Sequence, residues 1–293
     1  MHKAANHDSE GHDHGLARDL ARLQAQQLQQ RRRAIGFLAG AGGLMLIGCG
    51  GGAGEDNTAT TSTSDTGTTT GTSTTTSSCS VIPEETAGPY PGDGSNSVNG
   101  GIANALTLSG IVRSDIRTSI ASASGSAAGV LLTLTLKLVN TNGGCTDLAG
   151  YAIYLWHCDA EGRYSMYSSG ITAENYLRGV QQTGSDGTVS FTTIVPGCYA
   201  GRMPHVHFEV FRSVNSASAY SNKLKTSQIA FPTEVCSDVY NSVAAYSASI
   251  RNLAAISFAS DNVFSDGVTT QLASMTGSVA TGYIANLTVG IAA

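Results

Sequence analysis

The chain has 293 residues, 16 Lys/Arg against 21 Asp/Glu, and a formal net charge of −5. Only 13% of the residues are charged and 6% are aromatic, while 35 are glycine. An acidic balance gives no electrostatic reason to bind a polyanion, so nucleic acid is set aside as a partner.

In chain order, residues 1–30 are polar and hold four of the seven histidines. A basic cluster, Arg31 to Arg33, precedes an uncharged apolar run of 14 residues, Ala34 to Ile47. That run is too short to span a bilayer and reads as the core of a signal peptide over residues 1–48. "LIGC", Leu46 to Cys49, resembles the lipobox of bacterial lipoproteins. This resemblance implies export, lipidation of Cys49 and membrane contact through that anchor at the cell envelope. The arginines also resemble a twin-arginine export signal, though no Ser or Thr precedes them. Without residues 1–48 the charged residues fall to ten basic and 17 acidic, net −7. Residues 49–78 are almost wholly Gly, Ser, Thr, Ala and Asp, too polar to form a core, and read as a tether.

Residues 79–293 are one domain's worth of chain. "GVLLTLTLKLVN" alternates Leu132, Leu134, Leu136 and Leu138 with Thr133, Thr135 and Lys137, the period of a half-buried strand. "ALTLSGIVRS", "YAIYLWHC", "TVSFTTIV" and "HVHFEVF" are further β-branched or aromatic runs bounded by turn residues. "GSDG", Gly184 to Gly187, is a turn. From Thr233 to Leu253 the pattern turns helical, with Thr233 expected as its cap after Pro232. Short strands separated by turns predict a mainly β fold: a two-sheet β-sandwich with short helices and long loops. Five cysteines remain, Cys79, Cys145, Cys158, Cys198 and Cys236, enough for two disulfides and one thiol outside the cytoplasm. There is no CxxC pair, which argues against a cysteine zinc site.

"GCYAGRMPHVHFEV", Gly197 to Val210, carries the chemistry. On a strand, side chains i and i+2 share a face about 7 Å apart at Cα. His205 and His207 therefore point one way, and Val206, Phe208 and Val210 the other. One face is core; the other presents two nitrogens able to bind a metal. Glu209 shares the histidine face, but it completes a two-histidine, one-carboxylate Fe(II) site only if the strand end curls. His157 reads as structural, and Asp159 and Glu161 as polar loop residues.

Four stretches stand in a specific order: "PEETAGPYPGDG" (Pro83 to Gly94), "YLWHCDAEGRYSMY" (Tyr154 to Tyr167), Tyr176 to Val210, and "TSQIAFPTEVC" (Thr226 to Cys236). Over roughly residues 79–270 the chain resembles the intradiol ring-cleavage dioxygenases, closest to their exported single-domain members. The resemblance implies one non-haem Fe(III) per chain held by Tyr164, Tyr199, His205 and His207. Tyr199 would be the axial ligand that leaves when substrate binds. It also implies Arg202 beside the substrate ring, Gln228 behind it, and a catechol-type substrate opened by O2. A cation of charge three deprotonates phenols whose ordinary pKa is near 10, which is why two tyrosines suit Fe(III). Cys198 precedes Tyr199 and Cys236 follows the "SQIAFP" run, and the two are expected to pair and brace that loop. No pairing is assigned to Cys79, Cys145 and Cys158. The helical N-terminal dimerisation region of catechol dioxygenases is absent from the sequence, so oligomeric state stays open. Two rivals remain: a tethered sandwich that binds an aromatic or a sugar without turnover, and an inert surface domain.

Overall fold

A computed structural model describes residues 79–98 and 100–293. The expected signal peptide, Cys49 anchor and tether lie outside the described residues. A hairpin of β1 (Asp93–Val98) and β2 (Gly101–Asn104) comes first, then β3 (Leu131–Asn140), β4 (Thr146–Asp147), β5 (Ala152–Trp156), β6 (Arg178–Gln182), β7 (Thr188–Ile194), β8 (His205–Phe211) and β9 (Lys223–Ala230). Helices α1 (Thr233–Ser242) and α2 (Ser247–Ala254) follow, and β10 (Ser274–Ser278) and β11 (Gly282–Ile291) close the chain.

The alternating leucines do what their period dictates. Leu132, Leu134, Leu136 and Leu138 are wholly buried, while Thr133, Thr135 and Lys137 are partly exposed on the opposite face. Burying each leucine stabilises the fold by roughly 1.5–3 kcal/mol. One edge of β3 pairs in parallel with β11, and the other antiparallel with β7 and, at its end, β4. The second sheet runs β6-β5-β8-β9, all antiparallel. Val206, Phe208 and Val210 of β8, with Ile153 and Leu155 of β5, meet the leucines of β3 in one core. The opposite face of this sheet is covered too. Ala105, Leu106, Ile111, Tyr154, Trp156, Cys158, Tyr164 and Phe211 form a second apolar cluster there. All seven residues of β8 are buried, so its histidine face lies beneath loops.

Three expectations change. "ALTLSGIVRS" is not a strand: it turns at Leu108 and Ile111 and only touches β6, through Val180 N to Ile111 O and Arg113 N to Val180 O. Ala105, Leu106 and Ile111 all turn inward onto the second cluster, which an alternating strand cannot do. Thr233 does not cap α1; it is the first helical residue, and Pro232, with φ fixed near −56°, holds the N-cap position without a side-chain bond. Cys198 and Cys236 are not paired: both are buried thiols, as is Cys158.

The disulfide joins Cys79 to Cys145 instead, across 66 residues. It ties the chain's entry, where Ile82 N bonds Gly290 O, to the turn after β3. Loop-closure entropy for that span is worth about 4 kcal/mol. Replacing both cysteines with serine is expected to lower the urea midpoint accordingly while leaving the native circular dichroism intact. An unchanged midpoint would show that the loop is held without the cross-link.

Candidate metal centre

The register of the second sheet sets the site. Arg178, Trp156, His207 and Gln228 stand side by side across β6, β5, β8 and β9. The His207 ring stacks on the Trp156 indole, centroids 4.9 Å apart and 4° from parallel, which fixes its orientation. His205 Nδ1 lies 2.6 Å from the Met203 carbonyl, so it carries the proton and leaves the Nε2 lone pair free. The two Nε2 atoms are 3.1 Å apart.

Two loops bring the tyrosines. Asp159 folds the first by accepting from Glu161 N (3.0 Å) and Arg163 N (2.9 Å), and pairs with the Arg163 guanidinium at 3.0 Å. This delivers Tyr164, whose hydroxyl stands 3.5 Å from His205 Nε2. Tyr199, on the loop before β8, stands 3.1 Å from the same nitrogen. The loops dock backbone to backbone through glycines. A Cβ on Gly197 would lie 2.5 Å from Asp159 O, and one on Gly162 (φ +81°) would lie 3.0 Å from Tyr199 Cβ. Tyr164 is 2% exposed beneath the Tyr90 ring, 5.0 Å away, whereas Tyr199 is half-buried.

The structure thus brings Tyr164, Tyr199, His205 and His207 to one point. Burial holds both imidazoles well below their usual pKa, in the neutral, ligating form. Burial pushes the Tyr199 phenol up to about 12 and Tyr164 well above its ordinary value. Without a cation the phenols keep their protons, and only a strong local positive charge converts them to phenolates. The spacing fits a metal: with bonds of about 2.1 Å, ligand atoms at right angles sit about 3 Å apart. Among the described residues no group of three or more His, Cys, Asp or Glu is placed to hold a metal ion. The two phenol oxygens lie beside the two imidazole nitrogens, and hard anionic oxygen with imidazole is a donor set that suits a ferric ion.

Arg202 and Gln228 lie beside the cluster. Arg202 Nη2 bonds Gln228 Oε1 at 2.6 Å, and Gln228 Nε2 bonds Thr86 O at 2.9 Å. Arg202 Nε pairs with the wholly buried Asp261 at 3.0 Å. Asp261 also accepts from Met203 N (2.6 Å), Val263 N (2.8 Å) and Phe264 N (3.1 Å). It therefore clamps the segment whose Met203 carbonyl orients His205. Sequence reasoning missed Asp261, 59 residues beyond Arg202, and nothing in its local pattern marks it. It also assigned nothing to Arg178. That wholly buried guanidinium bonds Tyr90 O, Pro91 O and Ser165 O, tying the "PEETAGPY" stretch to the loop that carries Tyr164.

The remaining candidates lie apart from the cluster's chemistry. Glu209 pairs with Lys223 at 2.8 Å, and β8 continues straight through it rather than curling. His157 bonds Cys158 O and Thr193 Oγ1, joining the two sheets, and burial lowers its pKa to about 4.

The family described as Dioxygenase matches residues 114–269, just over half of the chain. The chain belongs to that family, the intradiol ring-cleavage dioxygenases. An intradiol ring-cleavage dioxygenase from Tetranychus urticae has a similar structure, with TM-score 0.54 and 24% identity, over 73% of this chain and 95% of that one. A second solved dioxygenase gives TM-score 0.52 and 25% identity over 73% and 94%. No curated protein sequence matches the chain.

Proposed function

We propose that the protein opens catechol-type rings between the two hydroxyl-bearing carbons, using O2 and a non-haem Fe(III) held by Tyr164, Tyr199, His205 and His207. The observation that carries this reading is the convergence of two phenol oxygens and two imidazole nitrogens at 3.1–3.5 Å. A ferric ion there would supply the electron-accepting centre that makes a bound catecholate reactive toward O2. The carbon–carbon bond between the hydroxyl carbons breaks, both oxygen atoms enter the diacid product, and no external reductant is consumed.

The chain's own residues have distinct tasks. Tyr199 is the phenol an incoming ring can reach, since Tyr164 is shut beneath Tyr90. Its oxygen takes the proton of a catechol hydroxyl. Arg202, fixed by Asp261 and Gln228, presents a permanent positive charge to negative charge developing on the ring. The Trp156 face holds His207 flat, so this imidazole does not have to reorient during the reaction.

Protein produced with iron available is expected to be red-brown from phenolate-to-iron charge transfer and to consume O2 with catechol. Colourless protein containing stoichiometric zinc would reject the reading. Tyr199→Phe is expected to keep iron, shift the visible band and slow catechol binding, as followed by stopped-flow absorbance. Unchanged spectra in that variant would take Tyr199 out of the ligand set.

A further inference from the structure

One carboxylate grips Arg202 at both ends. Asp261 meets the guanidinium at Nε, 3.2 Å from Oδ1 and 3.0 Å from Oδ2. Oδ2 also accepts from Met203 N at 2.6 Å, on the peptide that leaves Arg202. Oδ1 accepts from Val263 N and Phe264 N in the turn that follows, so the carboxylate is itself held by its own segment. That turn places the buried Phe264 ring under the guanidinium, 5.6 Å from Cζ to the ring centroid, and edge-on to His205 at 6.4 Å. On the other side Nη2 bonds Gln228 Oε1 at 2.6 Å, and the Gln228 carbonyl accepts from Gln271 Nε2 at 3.2 Å. With Nε and Nη2 occupied, Nη1 is the one guanidinium nitrogen that bonds no other described residue.

Resting on the ring-cleavage reading above, we propose that Asp261 is a positioning residue of the reaction: it acts through Arg202, fixing the plane of the guanidinium so that Nη1 is the donor left for the substrate ring. A long side chain left free spreads its charge over many orientations, and a transition-state interaction is worth most when no group has to reorganise. A buried guanidinium also needs a counter-charge to stay buried. The charge of Asp261 is shared among three backbone N–H donors, so it neutralises Arg202 less than a bare carboxylate would. Asp261 lies 59 residues beyond Arg202, in a segment that supplies none of the four proposed ligands.

A double-substitution cycle separates positioning from general support of the fold. With the iron-loaded full chain and catechol, Asp261→Asn is expected to keep iron and to lower kcat roughly tenfold or more, with KM changed by less, the scale of a misplaced transition-state group. In Arg202→Ala no guanidinium is left to place, so adding Asp261→Asn is expected to lower kcat by less than about threefold further. The thermal midpoint of that double variant is expected to rise above that of Arg202→Ala, because a buried unpaired carboxylate has been removed. Asp261→Glu, which keeps the charge but displaces it by one methylene, is carried through the same cycle with the same pattern expected. Penalties that multiply, with Asp261→Asn costing the same factor in the presence and absence of Arg202, overturn the proposal, as does parent kcat in a folded Asp261→Asn. Loss of fold in both Asp261 variants gives that residue a purely structural role and overturns it too. A parent that consumes no O2 with catechol strikes the ring-cleavage reading and this proposal with it, whereas a parent that turns over with multiplying penalties strikes this proposal alone.

Discussion

His205→Ala and His207→Ala are each expected to purify without iron and without colour, with no measurable ring cleavage. Each imidazole supplies one of four converging donor atoms, and no other His, Cys, Asp or Glu among the described residues joins the cluster to replace it. Losing a group that merely orients a ligand costs 10–100-fold in affinity or activity, so losing the ligand itself costs more. The two positions differ in their effect on the fold. His207 fills the space against Trp156 at 4.9 Å, so its truncation also leaves a cavity worth about 2–4 kcal/mol. His205 meets the Tyr199 and Phe264 rings edge-on, and its loss leaves Met203 O without that donor. His207→Gln, which refills part of the volume, separates folding from ligation. Metal analysis beside a thermal melt gives the answer. A variant that keeps its fold and nearly one iron per chain would remove that histidine from the site.

Arg202→Ala is expected to retain iron and the resting spectrum but lose about 10²-fold or more in turnover, the scale of removing one preorganised stabilising group. The substitution also has a structural cost. Asp261 is wholly buried and its charge is paired with Arg202. Breaking a buried pair by removing one partner typically costs 3–5 kcal/mol. Three backbone N–H groups still bond Asp261, so the loss should fall toward the lower end. Arg202→Lys tests the chemistry with less disturbance. It keeps the charge but cannot bond Asp261 and Gln228 together, so iron should stay while kcat falls more than KM rises. Parent turnover in Arg202→Ala, or loss of iron from a folded variant, would overturn the division of labour between Arg202 and Tyr199.

The histidine face was readable from sequence because strand geometry leaves no freedom. Once Val206, Phe208 and Val210 must enter the core, His205 and His207 must leave it together. The tyrosines were readable only through the ordered stretches around them, since a loop tyrosine has no period. Asp261 was not readable at all. It works by reaching Arg202 across 59 residues, and no local pattern encodes which buried cation a carboxylate will meet. The expected Cys198–Cys236 bridge failed for a related reason. Both sulfurs are buried, yet the pairing that forms, Cys79 with Cys145, depends on where β11 and the turn after β3 bring the entering chain.

The sequence by itself determined the mainly β architecture, the two faces of β8 and the residue types able to bind a ferric ion. These follow from the two-residue period of a strand and from donor chemistry, both local properties. Only the tertiary structure decided that a parallel pairing of β11 with β3 completes the first sheet, that Trp156 aligns His207, and that Asp261 and Gln228 hold Arg202. Such contacts join segments far apart in the chain, and their partners are chosen by packing the whole domain rather than by any stretch of it.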